Sequence, residues 1–144
     1  MNLRFFYKNN LPKKEHEVII TSFANAISKI ISLPPVIDVC LYVLEPNVYG
    51  GLDKNKINRI GINYNLSLEE TPMILTHELI HVHQSHTGKL RIDRHGNFYW
   101  HGILYTNKQV NEMTYDEYKK LPWEVDVDMK CSGVFSQALN LVDK

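Results

Sequence analysis

The chain has no long apolar stretch. Its most apolar run, Val36–Leu44, is broken by Asp38 and is far short of the roughly 20 residues that cross a bilayer as a helix. The opening segment, MNLRFFYKNN, lacks the apolar core of a secretion signal. The expectation is therefore a protein with no membrane association that stays in the cytoplasm. Cysteine is scarce as well. Cys40 and Cys131 lie far apart and neither belongs to a CxxC pair. That excludes a disulfide framework and reads as two buried thiols in a reducing compartment. Neither sign of charge is in excess, with 16 basic against 16 acidic residues. No basic patch or nucleic-acid motif is present, so nucleic acid is not an expected partner. Repeats, low-complexity tracts and linkers are also missing. The 144 residues then read as one domain, residues 1–144, large enough to bury a core without covalent staples.

What is present has clear periodicity. Val18, Ile19, Phe23, Ala26, Ile27 and Ile30 recur at helical spacing and predict a helix over about Pro12–Ser32, stopped by Pro34-Pro35. Val36–Leu44 reads as a strand. Pro46 and Gly50-Gly51 mark a loop, and Lys56–Asn63 reads as a second strand, weakened at Gly61. A helix follows over about Thr71–Thr87, ended by Gly88. Thr71 is the preferred N-cap, with Pro72 as the first helical residue, in competition with a capping box from Ser67 and Glu70. Leu90–Thr106 reads as a hairpin turning at His95-Gly96-Asn97. Thr114–Glu117 opens a short helix, and Pro122 starts a last one reaching about Leu141. Two adjacent strands with no helix between them argue for an α+β fold.

One stretch carries chemistry: His77-Glu78-Leu79-Ile80-His81. On a helix, residues four apart project from one face, so both imidazoles can reach one zinc ion. Glu78 lies beside them, where a carboxylate can take a proton from a zinc-activated water. From composition alone, such a match is expected by accident in about 2% of chains like this one.

Two histidines need a third protein ligand that leaves one position open. The extended metzincin pattern would have Gly at position 84 and His at position 87. Gln84 and Thr87 stand there, which excludes it. His83 and His86 face away from His77 and His81. Asp93 is a rival ligand only twelve residues beyond His81, in the expected hairpin. Pro122-Trp123-Glu124-Val125-Asp126-Val127-Asp128 offers more. Glu124 would sit near a helix start with Asp128 one turn on, so Glu124 can bind zinc while Asp128 accepts a hydrogen bond from the outer nitrogen of a ligating histidine. Spacing alone leaves a second possibility open, that Glu124 and Asp126 merely complement the helix N-terminus. Donors able to stabilise an oxyanion are His95, Tyr99, His101, Tyr115 and Tyr118, among which the sequence does not choose. Trp100 and Trp123 read as core aromatics.

HELIHVHQ followed by LPWEVDVD resembles gluzincins, zinc hydrolases whose third ligand is a glutamate on a later helix. Closer still is the resemblance to compact zincin-like proteins often encoded by phages and prophages, which pair HExxH with a Pro-Trp-Glu-Val-Glu-Ala-like segment. Asp126-Val127 departs from that pattern. The resemblance runs from about the second strand to the last helix and leaves the first 55 or so residues unplaced. It implies a zincin-like fold, with a small mixed or antiparallel sheet packed on the HExxH helix and a C-terminal helix carrying a ligand. It also implies His77, His81 and Glu124 as zinc ligands, Glu78 as general base and Asp128 as their supporting acceptor. The strand before the zinc helix would pair with an extended substrate through Gly61 and Asn63. An internal strand with a glycine bulge is the competing reading of that segment.

The function expected is thus a zinc metallopeptidase acting on a peptide or protein substrate. The alternative is a non-catalytic zinc-binding or protein-interaction module that keeps the same fold. An intact Glu78 argues against the alternative, because a purely structural zinc site needs no base.

Overall fold

The structure, a computed structural model, describes residues 1–8, 10–43, 50–52 and 58–142. The elements in chain order are β1 (Asn2–Tyr7), α1 (Lys14–Ser28), β2 (Val36–Tyr42), β3 (Gly50–Leu52), β4 (Arg59–Asn63), α2 (Thr71–His86), β5 (Leu90–Ile92), β6 (Phe98–Trp100), β7 (Ile103–Tyr105), α3 (Asn107–Asn111), α4 (Tyr115–Tyr118) and α5 (Pro122–Val142). This mixed α/β arrangement of small sheets and helices fits the α+β class. Among the described residues no helix is long and apolar enough to cross a membrane. The loop expected around Pro46 and the first residues of the strand expected from Lys56 lie outside the described residues.

The larger sheet has the order β1-β2-β4-β3, with β1, β2 and β4 parallel and β3 antiparallel to β4. Period-two alternation explains which face is covered. Ile37, Val39 and Leu41 of β2 and Ile60 and Ile62 of β4 are buried, in one core with Ile20, Phe23 and Ile27 of α1, Leu75 and Leu79 of α2, and Val127, Val134 and Ala138 of α5. Three helices therefore share one face of the sheet. β1 was not anticipated, because NLRFFY carries Arg4 amid its apolar residues. Its pairing with β2 through α1 makes a parallel β-α-β unit.

Arg4 has a structural reason to be there. Arg4, Asp38 and Arg59 lie opposite one another on β1, β2 and β4. Arg4 donates to both carboxylate oxygens of the solvent-shielded Asp38, at 2.7 and 3.0 Å, and Arg59 adds a contact at 3.4 Å. A carboxylate taken from water is stable only with such partners.

β5, β6 and β7 form an antiparallel meander, one strand more than the hairpin that the sequence suggests. The turn at Gly96 appears as expected, but a second one follows at once, with His101 and Gly102 at φ +48° and +82°. Two consecutive left-handed residues make the tight turn that matches strand twist. The meander covers a second core of Leu90, Phe98, Val110, Leu121 and Trp123. Trp123 stacks on Phe98 at 5.0 Å and meets Tyr105 edge-on at 5.2 Å.

The start of α2 also differs from expectation. Thr71 is not the N-cap; its N–H and hydroxyl both donate to the Ser67 carbonyl. Ser67 and Glu70 do form their reciprocal pair, with Glu70 N–H donating to Ser67 Oγ at 3.1 Å and Ser67 Oγ–H to Glu70 Oε1 at 2.9 Å. That closed turn feeds directly into the helix.

The Asp38 cluster gives a pH-dependent prediction. Hydrogen bonding from Arg4 holds the Asp38 pKa below its ordinary value despite burial, with Arg59 assisting. A depressed folded pKa stabilises fully above the unfolded carboxylate range, about 3.9, and is lost as pH falls through the folded value. Asp38→Asn is expected to lower the denaturant midpoint at neutral pH, with the gap to the parent narrowing below about pH 4. Urea titrations at several pH values check this, and a gap independent of pH would refute it.

Candidate metal centre

α2 supplies three of the four side chains of the candidate centre. His77 and His81, one turn apart, have ring centroids separated by 5.1 Å. α5 supplies the fourth. Its first turn is anchored by Trp123, which is buried in the second core, so the next residue, Glu124, projects toward α2. One Glu124 oxygen lies 3.3 Å from His81 Nε2 and the other lies 3.8 Å from His77 Nε2. Ligand atoms of His77, His81 and Glu124 all fall within 4.8 Å of one another. Two imidazoles and a carboxylate facing one point are a donor set that suits zinc.

Glu78 sits behind this trio. Only 5% of it is exposed, and among the described residues its Oε2 has no hydrogen-bond partner. Burial pushes its pKa up to about 7, opposed by His81 and reinforced by Glu124. The surrounding groups respond to the same crowding. Burial and repulsion from His81 lower the His77 pKa against the pull of Glu124 and Asp128. Burial would lower that of His81 too, but Glu124, Glu78 and Gln84 together raise it. Burial opposes the Glu124 charge, yet hydrogen bonding from His81, both imidazole charges and Tyr118 hold its pKa low.

The structure selects among the candidates left open by sequence. Of the five proposed oxyanion donors, Tyr118 alone reaches the centre. Burial, and then the nearby Glu124 carboxylate, raise the pKa of its hydroxyl. Tyr99 is turned to Asp93 at 3.3 Å, Tyr115 is 73% exposed, and His95 and His101 are exposed. Asp93, the rival ligand, accepts from His95 N–H, Asn97 N–H, the Asn97 amide and Tyr99 within its own loop. His83 is bound at 2.7 Å to the Ser32 carbonyl, and His86 is exposed.

The structure bears on two further expectations. Asp128 is exposed and influences His77 through its charge, but among the described residues it makes no hydrogen bond to either histidine. The acceptor on His81 Nδ1 is instead Gln84 Oε1, at 2.9 Å. Gln84, wholly buried between the two helices, occupies that side of His81, while the pull of Asp128 falls on His77. In the sequence Gln84 stands out only as a departure from the metzincin pattern, which does not mark it as a site residue. Its signal was a polar residue three positions after His81, on the helix face that also carries His77 and Ile80. Second, β4 is an internal strand, paired with β2 on one side and β3 on the other. Gly61 faces Cys40 and Gly51 across the two ladders. Its backbone is thus engaged in the sheet, and the edge beyond it belongs to β3. Asn63, paired with Tyr42 in the β2 ladder, ends the same internal strand.

No protein-family model, curated protein or solved structure matches this chain.

The buried Glu78 makes a stability prediction for the metal-free protein. A carboxyl with a raised folded pKa keeps its proton longer in the folded state, so stability falls as pH rises from about 4.5 to about 7. Glu78→Gln removes that charge. The metal-free variant is expected to exceed the parent in stability by on the order of 1–3 kcal/mol above pH 7, with the advantage fading toward pH 4.5. Thermal unfolding in the presence of a chelator measures it. A variant no more stable than the parent at high pH would show that Glu78 is not buried as described.

Proposed function

We propose that this chain is a zinc-dependent hydrolase of the gluzincin kind, acting on peptide bonds of a peptide or protein substrate in the cytoplasm. The observation that carries the reading is the meeting of Glu124 with both imidazoles of HELIH, within 4.8 Å, beside the buried Glu78, whose Oε2 has no hydrogen-bond partner among the described residues. Further support comes from the architecture, a small mixed sheet packed against the helix that bears His77 and His81. The sequence resemblance to compact phage-encoded zincin-like proteins points the same way.

His77, His81 and Glu124 would hold the zinc, which when bound supplies Lewis acidity to polarise a scissile carbonyl. The remaining steps fall to the chain's own groups. Glu78 accepts a proton from the attacking water and passes it to the departing amine nitrogen, so one carboxylate serves as base and then acid. A pKa near 7 in the metal-free protein suits that exchange. Tyr118, whose hydroxyl lies near Glu124, is the donor we assign to the oxygen that becomes negative as the carbonyl is attacked. An extended peptide would pair with β3, the edge of the larger sheet.

Elemental analysis of the purified protein is expected to give about one zinc per chain, most of it lost in His77→Ala, His81→Ala or Glu124→Ala. Glu78→Gln should retain the metal while turnover of a peptide library drops by about 10²–10⁴. Tyr118→Phe should lower kcat by roughly 10–10³ with little change in KM. Full zinc in His81→Ala would sink the site. Undiminished turnover in zinc-loaded Glu78→Gln would sink the mechanism. Zinc without hydrolysis of any peptide would leave a binding module.

A further inference from the structure

In one orientation, both amide hydrogens of Gln84 and its amide oxygen have partners. Its Nε2 donates one hydrogen to the Trp123 carbonyl and the other to Asp126 Oδ2, each at 2.9 Å. Its Oε1 faces His81 Nδ1 at 2.9 Å. The side chain has no exposed surface, so water cannot substitute for any of these partners. Turning the amide over would set its oxygen against a backbone carbonyl and a carboxylate, both acceptors only. The orientation is therefore dictated from α5, by a carbonyl 39 residues along the chain. Asp126 is itself steadied by Lys130 at 2.8 Å.

We propose that Gln84 is a positioning residue that reads the docking of α5 and fixes the ring of His81. With Oε1 held toward the imidazole, Nδ1 must carry hydrogen, and Nε2 is the nitrogen turned toward Glu124 and His77. The same amide joins the two helices that bear the candidate ligands, so the ring of one ligand and the helix of another are set by a single group. This relation rests on the zinc reading for its consequence, though the hydrogen bonds stand without it. A buried acceptor on the outer nitrogen of a ligating histidine commonly matters 10–100-fold to metal affinity.

The test uses the full chain in four forms: parent, Gln84→Met, Asp126→Ala and Asp126→Asn. Zinc affinity, measured by chelator competition, should fall about 10–100-fold in Gln84→Met, which keeps the volume and loses the amide. Asp126→Ala should cost about 3–10-fold, because only the Trp123 carbonyl then holds the amide, and Asp126→Asn should restore affinity because its own amide oxygen still accepts. Nitrogen-15 spectra of the metal-free proteins provide a readout without zinc. The His81 Nδ1–H should be hydrogen-bonded and slow to exchange in the parent and in Asp126→Asn, and exposed to exchange in Gln84→Met. A folded Gln84→Met with parental zinc affinity and a protected Nδ1–H overturns the proposal. If Gln84→Met does not fold, an Asp126→Ala protein equal to the parent in both measurements overturns it. A parent that binds no zinc but keeps the protected Nδ1–H defeats the hydrolase reading and leaves the positioning of His81 intact.

Discussion

The seam between α2 and α5 is the contact on which the candidate centre depends. HELIH gives two imidazoles on one turn, but a carboxylate reaches them only if α5 arrives at the correct height and rotation. Burial of Trp123 against Phe98 and Tyr105 sets the height. Val127, Val134 and Ala138, packed into the main core, set the rotation. Glu124 falls between these two apolar anchors, so packing sets where its backbone lies. The attraction of His81 and His77 then steadies its charge against the cost of burial.

The sequence reveals the parts whose signals are local. α2, α5 and β2 are visible because periodicity and helix starts or stops lie within a dozen residues of each other. The HExxH helix is legible for the same reason, whereas spacing leaves Glu124 open and the resemblance of LPWEVDVD to gluzincins favours it as a ligand. β1 was hidden because Arg4 interrupts its apolar pattern, and its partner Asp38 lies 34 residues away. The third strand of the meander was hidden because His101, unlike glycine, gives little warning of a positive φ. α3 was missed although Thr106 and Gln109 form a capping box, since the segment looked like the tail of a hairpin.

Within the site, legibility divides along the same line. His77, Glu78 and His81 are close in sequence, and their common face follows from helix geometry. Gln84 is equally close to His81, yet its meaning comes from the Trp123 carbonyl and the Asp126 carboxylate on another helix. Asp128 shows the converse. Its spacing from Glu124 is right for a supporting acceptor, but the space beside His81 is already filled. Strand β4 shows that a sequence can locate a strand and still leave its neighbours open, because being edge or interior depends on β3.

The division of Trp123 and Glu124 between the two cores also bears on how the protein assembles. The chain between α2 and α5 is not a loose loop, since β5, β6 and β7 fold over a core of their own that includes Leu121 and Trp123. With Trp123 held by the meander, the start of α5 is already close to the end of α2, and little further chain entropy is lost in bringing the two helices together. The short subdomain thus acts as a clasp that shortens the effective loop between the histidines and Glu124.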